Sequence, residues 1–212
     1  QFNAAFFTGE ILTMYAMIGI ILPIFCRASN KVVIITAIIL MLQPVDWIKL
    51  IYALINPDYE PATNLAGKYF SEAAKVQSTG TFWETVKMNL WTGQMANMAY
   101  ALEHGRLTQT AGLFLFGMVV GRKGWFLYSA NNEQLWLKTL GIALLCFFPL
   151  YGLNNMLAEF VTTKAVLAPL KVIVVSTRNL SFMVALVTAL LITFYRVKDR
   201  KLLMRFAPYG KM

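Results

Sequence analysis

Asp46 and Lys49 stand three residues apart in Gln43-Pro44-Val45-Asp46-Trp47-Ile48-Lys49, inside a stretch that is otherwise apolar. That spacing puts a carboxylate and an ammonium on one helical face. Two readings follow, an ion pair lining a cavity or two anchors near an outer membrane interface. Charged groups inside apolar helices are expensive, so a functional role is the default hypothesis for them. Glu10, in Gly9-Glu10-Ile11-Leu12, enters on the same ground. It is a proton- or substrate-binding carboxylate, or an acid favoured by the positive end of a helix dipole. Arg178, with Asn179, separates two apolar runs and would bind an anionic group at a broken helix, or else mark an ordinary helix-helix turn. Asn154-Asn155 reads as a helix end or a substrate contact.

His104 is the only histidine, flanked by Glu103 and Arg106. A general base needs a pKa near the working pH and an orienting partner, which histidine and glutamate together supply; the competing reading is a solvated surface imidazole. No second histidine accompanies it, and Cys26 and Cys146 lie at or within apolar runs, as buried free thiols would. No metal-ligating constellation and no disulfide framework is signalled. Neither a metal nor a cofactor is expected.

The elements that must hold these residues are membrane-like. Of 212 residues 58% are hydrophobic and 14% charged, where soluble domains have about 45–50% and 25%, so the expected class is an all-α polytopic transmembrane bundle. The net charge of +9 does not imply a nucleic-acid partner, because the cations cluster at the ends of apolar runs. The expected partner is the lipid bilayer. With Gln1 opening the chain and no signal-peptide pattern, residues 1–212 read as one membrane domain from a longer protein.

The apolar runs predict spans at Ile11 to Phe25, at Val32 to Ile55 with a kink from Pro44, at Leu135 to Tyr151 and at Leu180 to Val197. Val161 to Thr177, with Lys164, Pro169 and Lys171, reads as a half-helix or interfacial segment. Residues 56–109 are expected outside, where Trp83, Val86, Leu90, Met95, Met98 and Leu102 approximate a helical stripe for a membrane surface or the bundle.

Thr110 to Phe126 decides the topology. As a fifth crossing it gathers eleven of the nineteen cations, Arg27, Lys31, Arg122, Lys123, Lys138 and the tail from Arg196 to Lys211, on one side. The positive-inside rule makes that side cytoplasmic. In this stretch Gly117 and Gly121 form a small-xxx-small pair for helix packing. Arg122 and Lys123 follow as a cytoplasmic anchor, with binding of a headgroup or cofactor phosphate as the lesser reading.

Three stretches together resemble the YeiB-like family of bacterial multi-pass membrane proteins, a family of unknown function. They are Gly9-Glu10-Ile11-Leu12-Thr13-Met14-Tyr15-Ala16, Gly112-Leu113-Phe114-Leu115-Phe116-Gly117-Met118-Val119-Val120-Gly121-Arg122 and Ala207-Pro208-Tyr209-Gly210-Lys211-Met212. Glu10 stands where the family usually has Asp, which keeps the carboxylate. The resemblance implies a bacterial inner-membrane protein with further spans on both sides, sometimes linked with transport. It also implies a distant similarity to transmembrane acyltransferases, which pass an acyl group from a cytoplasmic donor to an outer-face acceptor. Two functions are therefore expected: transport of a small solute past Glu10, Asp46 and Arg178, or acyl transfer with His104 as base, residues 56–109 holding the acceptor and Arg122-Lys123 the acyl donor. A scaffold without chemistry is the third reading.

Overall fold

The computed structural model describes residues 12–56, 59 and 64–196, and the regular structure among them is all helical. Two helices are long and apolar enough to cross a membrane, Ala130–Phe160 (α8) and Lys164–Arg196 (α9). At 1.5 Å per residue their 31 and 33 residues reach about 46 and 50 Å, beyond the ~30 Å hydrocarbon core. Many of their large apolar side chains, among them Ile142, Leu145 and Phe148, face outward. An outward apolar surface of this extent points to a membrane protein.

Ahead of them, Leu12–Ile21 (α1) runs into a 3₁₀ turn, Leu22–Arg27, and is followed by Asn30–Met41 (α2) and Pro44–Ile55 (α3). α2 and α3 are bent by 43° at a break that Pro44 creates by opening α3. The proline crowds the residue before it out of the right-handed helical region, and Gln43 takes the left-handed one, φ 57°. The bend lets one run of sequence serve two partners, since α2 packs on Arg106–Arg122 (α7) while α3 packs on α9.

The α2–α7 contact is built from small residues. Gly112 approaches so closely that an added Cβ would stand 2.9 Å from Met41 Cγ and 3.0 Å from the Ala37 carbonyl. Val33, Ala37, Leu115 and Val119 are buried around it. This corrects the expectation for Gly117 and Gly121. They lie on the far side of α7, and a Cβ at either would meet nothing within 4 Å.

Other boundaries move for identifiable reasons. α8 does not end at Gly152 or Asn154-Asn155 but continues to Phe160. Residues 161–177 are no separate half-helix: after Val161, α9 runs unbroken from Lys164 through Arg178-Asn179. Pro169, the sixth residue of α9, removes the donor that would meet the Ala165 carbonyl. Cys26 and Cys146 are exposed on the bundle's outside rather than buried. An apolar neighbourhood in sequence means lipid side as readily as core.

Between α3 and α7 lies a helical hairpin, Leu65–Thr79 (α4) against Phe82–Met88 (α5), a π turn Asn89–Gly93 and Gln94–Glu103 (α6). Thr81 and Glu84 form a capping box at the hairpin's turn. The Thr81 backbone N–H, at 2.8 Å, and then its hydroxyl, at 2.9 Å, hold the Glu84 carboxyl below the usual carboxylate range. With the folded pKa depressed, this cap contributes above the unfolded carboxylate pKa and is lost as pH falls through the folded one.

Gly112→Leu should therefore lower the thermal midpoint of the purified protein in detergent, at a cost of about 1–3 kcal/mol from overpacking. Gly117→Ala should raise stability by up to ~1 kcal/mol through helix propensity. Equal damage from both changes, read by circular dichroism on heating, would refute the packing assignment.

Candidate functional site

The break between α2 and α3 is held by one side chain. Gln43 is 1% exposed, and its Nε2 donates to the Gly105 carbonyl at 2.8 Å and to Ser176 Oγ at 3.2 Å. Its Oε1 accepts from Thr108 Oγ1 at 2.5 Å. Gly105 and Thr108 belong to the start of α7 and Ser176 to the middle of α9, so a single amide joins the two helix pairs. Gln109 Nε2 adds a bond to the Ser176 carbonyl at 2.9 Å. Gly105 is itself left-handed, φ 62°, and an added Cβ would run into the Gln43 amide.

Beside this node opens a cleft of about 690 Å³ between α3, α9 and the hairpin's ends. Asp46, in the first turn of α3, is 2% exposed and pairs with Lys49 Nζ at 3.0 Å. Both residues line the cleft. One face of α9 supplies the opposite wall, where Ala165, Ala168, Pro169, Val172, Val175 and Ser176 recur at helical spacing and Lys171 and Asn179 add polar groups.

The hairpin closes the third side. Glu103 Oε1 accepts the backbone N–H groups of Leu65 at 2.7 Å and Ala66 at 3.3 Å, capping α4. His104 Nδ1 lies 3.1 Å from the Tyr100 carbonyl, with its ring stacked at 4.1 Å on the tyrosine. With Nδ1 donating to that carbonyl, Nε2 is the ring nitrogen left for another partner. Arg106 lies over the Tyr100 ring, 5.1 Å from its centroid. Orientation of His104 thus comes from a backbone carbonyl, and Glu103 is committed to a helix terminus.

Of the residues singled out from sequence, the structure brings Asp46, Lys49 and His104 to one cleft. Arg178 is not there: it lies about a quarter-turn round α9 from Asn179, half-buried, bonded through Nε and Nη2 to Asn179 Oδ1 at 3.3 and 3.0 Å. Asn154 sits mid-helix, its Oδ1 buried without a hydrogen-bond partner among the described residues. Glu10 lies outside the described residues. Gln43, Arg106, Gln109, Lys171 and Ser176 were missed; a glutamine directly before Pro44, amid apolar residues, was the available signal.

Arg122 is at the opposite end of the bundle and is no ligand site. Its Nη1 donates to the Ala28 carbonyl and Asn30 Oδ1, each at 3.1 Å, and its Nη2 to the carbonyls of Phe25, at 3.1 Å, and Cys26, at 2.7 Å. The guanidinium thus gathers the carbonyl oxygens at the end of the 3₁₀ turn, where Phe25 also accepts the Ala28 N–H, together with the Asn30 side chain. Lys123 lies over the Trp125 ring, 5.2 Å from its centroid. The 122–133 connection is tied down at the same end by Tyr195 to the Phe126 carbonyl, 3.0 Å, and by Arg196 to Glu133, 2.6 Å.

Residues 120–212 match a family described as "Protein of unknown function (DUF418)". The match starts in the last turn of α7 and takes in α8 and α9, hence the α9 wall of the cleft but not α3 or the hairpin. No curated protein and no solved structure matches the chain.

Gln43→Ala would take the amide donor away from buried Ser176 Oγ, an unmet group that costs about 1–3 kcal/mol, while the Gly105 carbonyl keeps the Gln109 N–H and the Thr108 hydroxyl. We expect the thermal midpoint to fall and protease sensitivity to rise at residues 104–106. A variant as stable and protected as the parent would show that the node does not hold the break.

Proposed function

We propose that this chain is part of a YeiB-like multi-pass protein of a bacterial inner membrane, and that its cleft admits a small organic anion for transport. The match of residues 120–212 to a family of unknown function and the motif resemblance support the kinship. Five crossings follow from taking α1 with its 3₁₀ turn, α2 with α3, α7, α8 and α9 as spans. In that arrangement Arg27, Lys31, Arg122, Lys123 and Arg196 share one end, where Arg122 bonds the 25–30 turn and Arg196 bonds Glu133. Positive charge in short connections marks that end as cytoplasmic. The cleft then opens outward.

The observation that carries the transport reading is the broken α2–α3 run with a half-buried ion pair beside its break, in which Asp46 is the buried partner, facing a cleft. Discontinuous spans place a half-helix N-terminus and freed backbone at a substrate site, as in secondary transporters. The cleft's balance selects an anion. Lys49, Arg106 and Lys171 face Asp46 and Glu103, and Glu103 is engaged by two backbone N–H groups. An entering carboxylate or phosphate competes with Asp46 for Lys49, while the aliphatic wall of α9 covers the solute's apolar body.

The placement of His104 favours acyl transfer as the second reading. Its Nε2 would take the proton of an acceptor hydroxyl as that oxygen bonds to the acyl carbon and the donor's bond to that carbon breaks. The acyl donor would not rest on Arg122, whose two terminal nitrogens are both bonded to the 25–30 turn.

The full-length protein in proteoliposomes, given radiolabelled short-chain carboxylates and organic phosphates, tests this. Asp46→Asn and Lys49→Gln should each reduce uptake at least tenfold, with Arg178→Gln and His104→Gln near the parent. Activity lost with His104→Gln but kept with Asp46→Asn would replace transport by acyl transfer. Parental uptake in all four would remove the cleft from either role.

A further inference from the structure

The outer face of the hairpin carries a second built feature. Trp83, Val86, Leu90, Met95, Met98 and Leu102 follow one another in steps of three, four, five, three and four. In a uniform α-helix at about 100° per residue, the step of five would swing Met95 some 140° away from Leu90. The π turn Asn89–Gly93 lies across that step. A π turn closes its hydrogen bonds over five residues instead of four, so it absorbs one extra residue and returns Met95 above Leu90. On the inward face Met88, Asn89, Gly93 and Ala96 are buried. The irregular turn therefore keeps the outer stripe in register.

The inward face is covered by α4. Most of the stripe is not: Trp83 is 76% exposed, Leu90 46%, Met95 44% and Leu102 53%, with Val86 and Met98 half-buried. Phe82 and Trp91 stand exposed at its margins. Between Phe82 and Leu102 the charged residues are Glu84, turned into the Thr81 capping box, and exposed Lys87. About 28 Å of apolar line from Trp83 to Leu102 thus lies beside a single free cation among the described residues.

We infer that this stripe is a membrane-docking face, seated in the headgroup and upper acyl region of the leaflet on the cleft side. Lipid is the occupant that the charge and composition select. Lys87 complements a headgroup phosphate, and tryptophan, with an apolar body and one N–H, prefers the interface. The hairpin's position presents the stripe there, because its chain leaves α3 at Ile55 and enters α7 at Arg106, holding both ends at one end of the bundle. Docking pins the hairpin that forms the cleft's third wall. The inference rests on the chain's being in a membrane and is independent of what the cleft binds.

Nitroxide labels read by electron paramagnetic resonance test it, on full-length protein lacking Cys26 and Cys146, in phosphatidylethanolamine–phosphatidylglycerol vesicles. At Trp83→Cys, Leu90→Cys, Met95→Cys and Leu102→Cys, collisions with oxygen should exceed those with a water-soluble nickel chelate several-fold. At Ser78→Cys and Glu84→Cys the order should reverse. Dominance of the nickel reagent on the stripe would place that face in water; exclusion of both reagents would show protein covering it. Either result overturns the inference. Deleting Thr92 turns the step of five into an ordinary step of four and should keep the lipid pattern, whereas deleting Ala99 should carry the Leu102 label out of it. Loss of the pattern beyond residue 92 on the first deletion would refute the register argument.

Discussion

Gln43 is the point on which the two halves of the bundle depend. Pro44 denies the preceding residue an ordinary helical conformation, and a non-glycine residue in the left-handed region is held there only by its surroundings. The surroundings here are the Gly105 carbonyl, Thr108 and Ser176, which occupy the two ends of the Gln43 amide. A glutamine is long enough to reach both neighbours and has a donor at one tip and an acceptor at the other. Glutamate would lack the donor, leucine both groups. Because interhelical hydrogen bonds in membranes average only about 0.6 kcal/mol, the node's value lies less in attraction than in excluding arrangements that leave its groups unmet.

That constraint explains why the polar cleft sits where it does. The bend at Gln43 turns α3 away from the α2–α7 pair and onto α9, and the wedge so opened is where Asp46 and Lys49 emerge. A straight helix through residues 30–55 would keep a single packing partner and leave no wedge. The other end of the bundle solves a similar problem with opposite chemistry. There carbonyl oxygens gather at the end of the 3₁₀ turn, and the cation of Arg122 meets them.

Helix as the sole regular element among the described residues, the break at Pro44 and the Asp46–Lys49 pair were all legible in the sequence, because each rests on local rules of spacing and proline geometry. What was not legible depends on which side of a helix meets protein. In water, apolar spacing identifies the buried face. In lipid both faces are apolar, so the Gly117-x-x-x-Gly121 spacing carried no direction, and the close approach fell to Gly112 on the other side of α7. The same ambiguity put Cys26 and Cys146 outside rather than inside. Polar residues follow their chemistry more closely: Arg122, singled out from sequence, and Gln43, which was not, each bond to what that chemistry requires. Arg178 is the exception, since α9 runs through it without a break and its nearest partner is Asn179.

The hairpin shows the converse, a case where periodicity outside the spans was informative down to a single residue. A helical stripe with one step of five reads at first as an imperfect pattern, and the natural response is to overlook the flaw. The flaw is the signal. A step of five on the outer face admits either a stripe that breaks after Leu90 or a helix with one widened turn. Only the second leaves the stripe continuous. The widened turn costs backbone hydrogen-bond geometry, and a packed inner face alone would be served as well by a regular helix one residue shorter. That the extra residue is accommodated with the outer face also aligned implies that the outer face is constrained too, as it would be if something apolar lay along it.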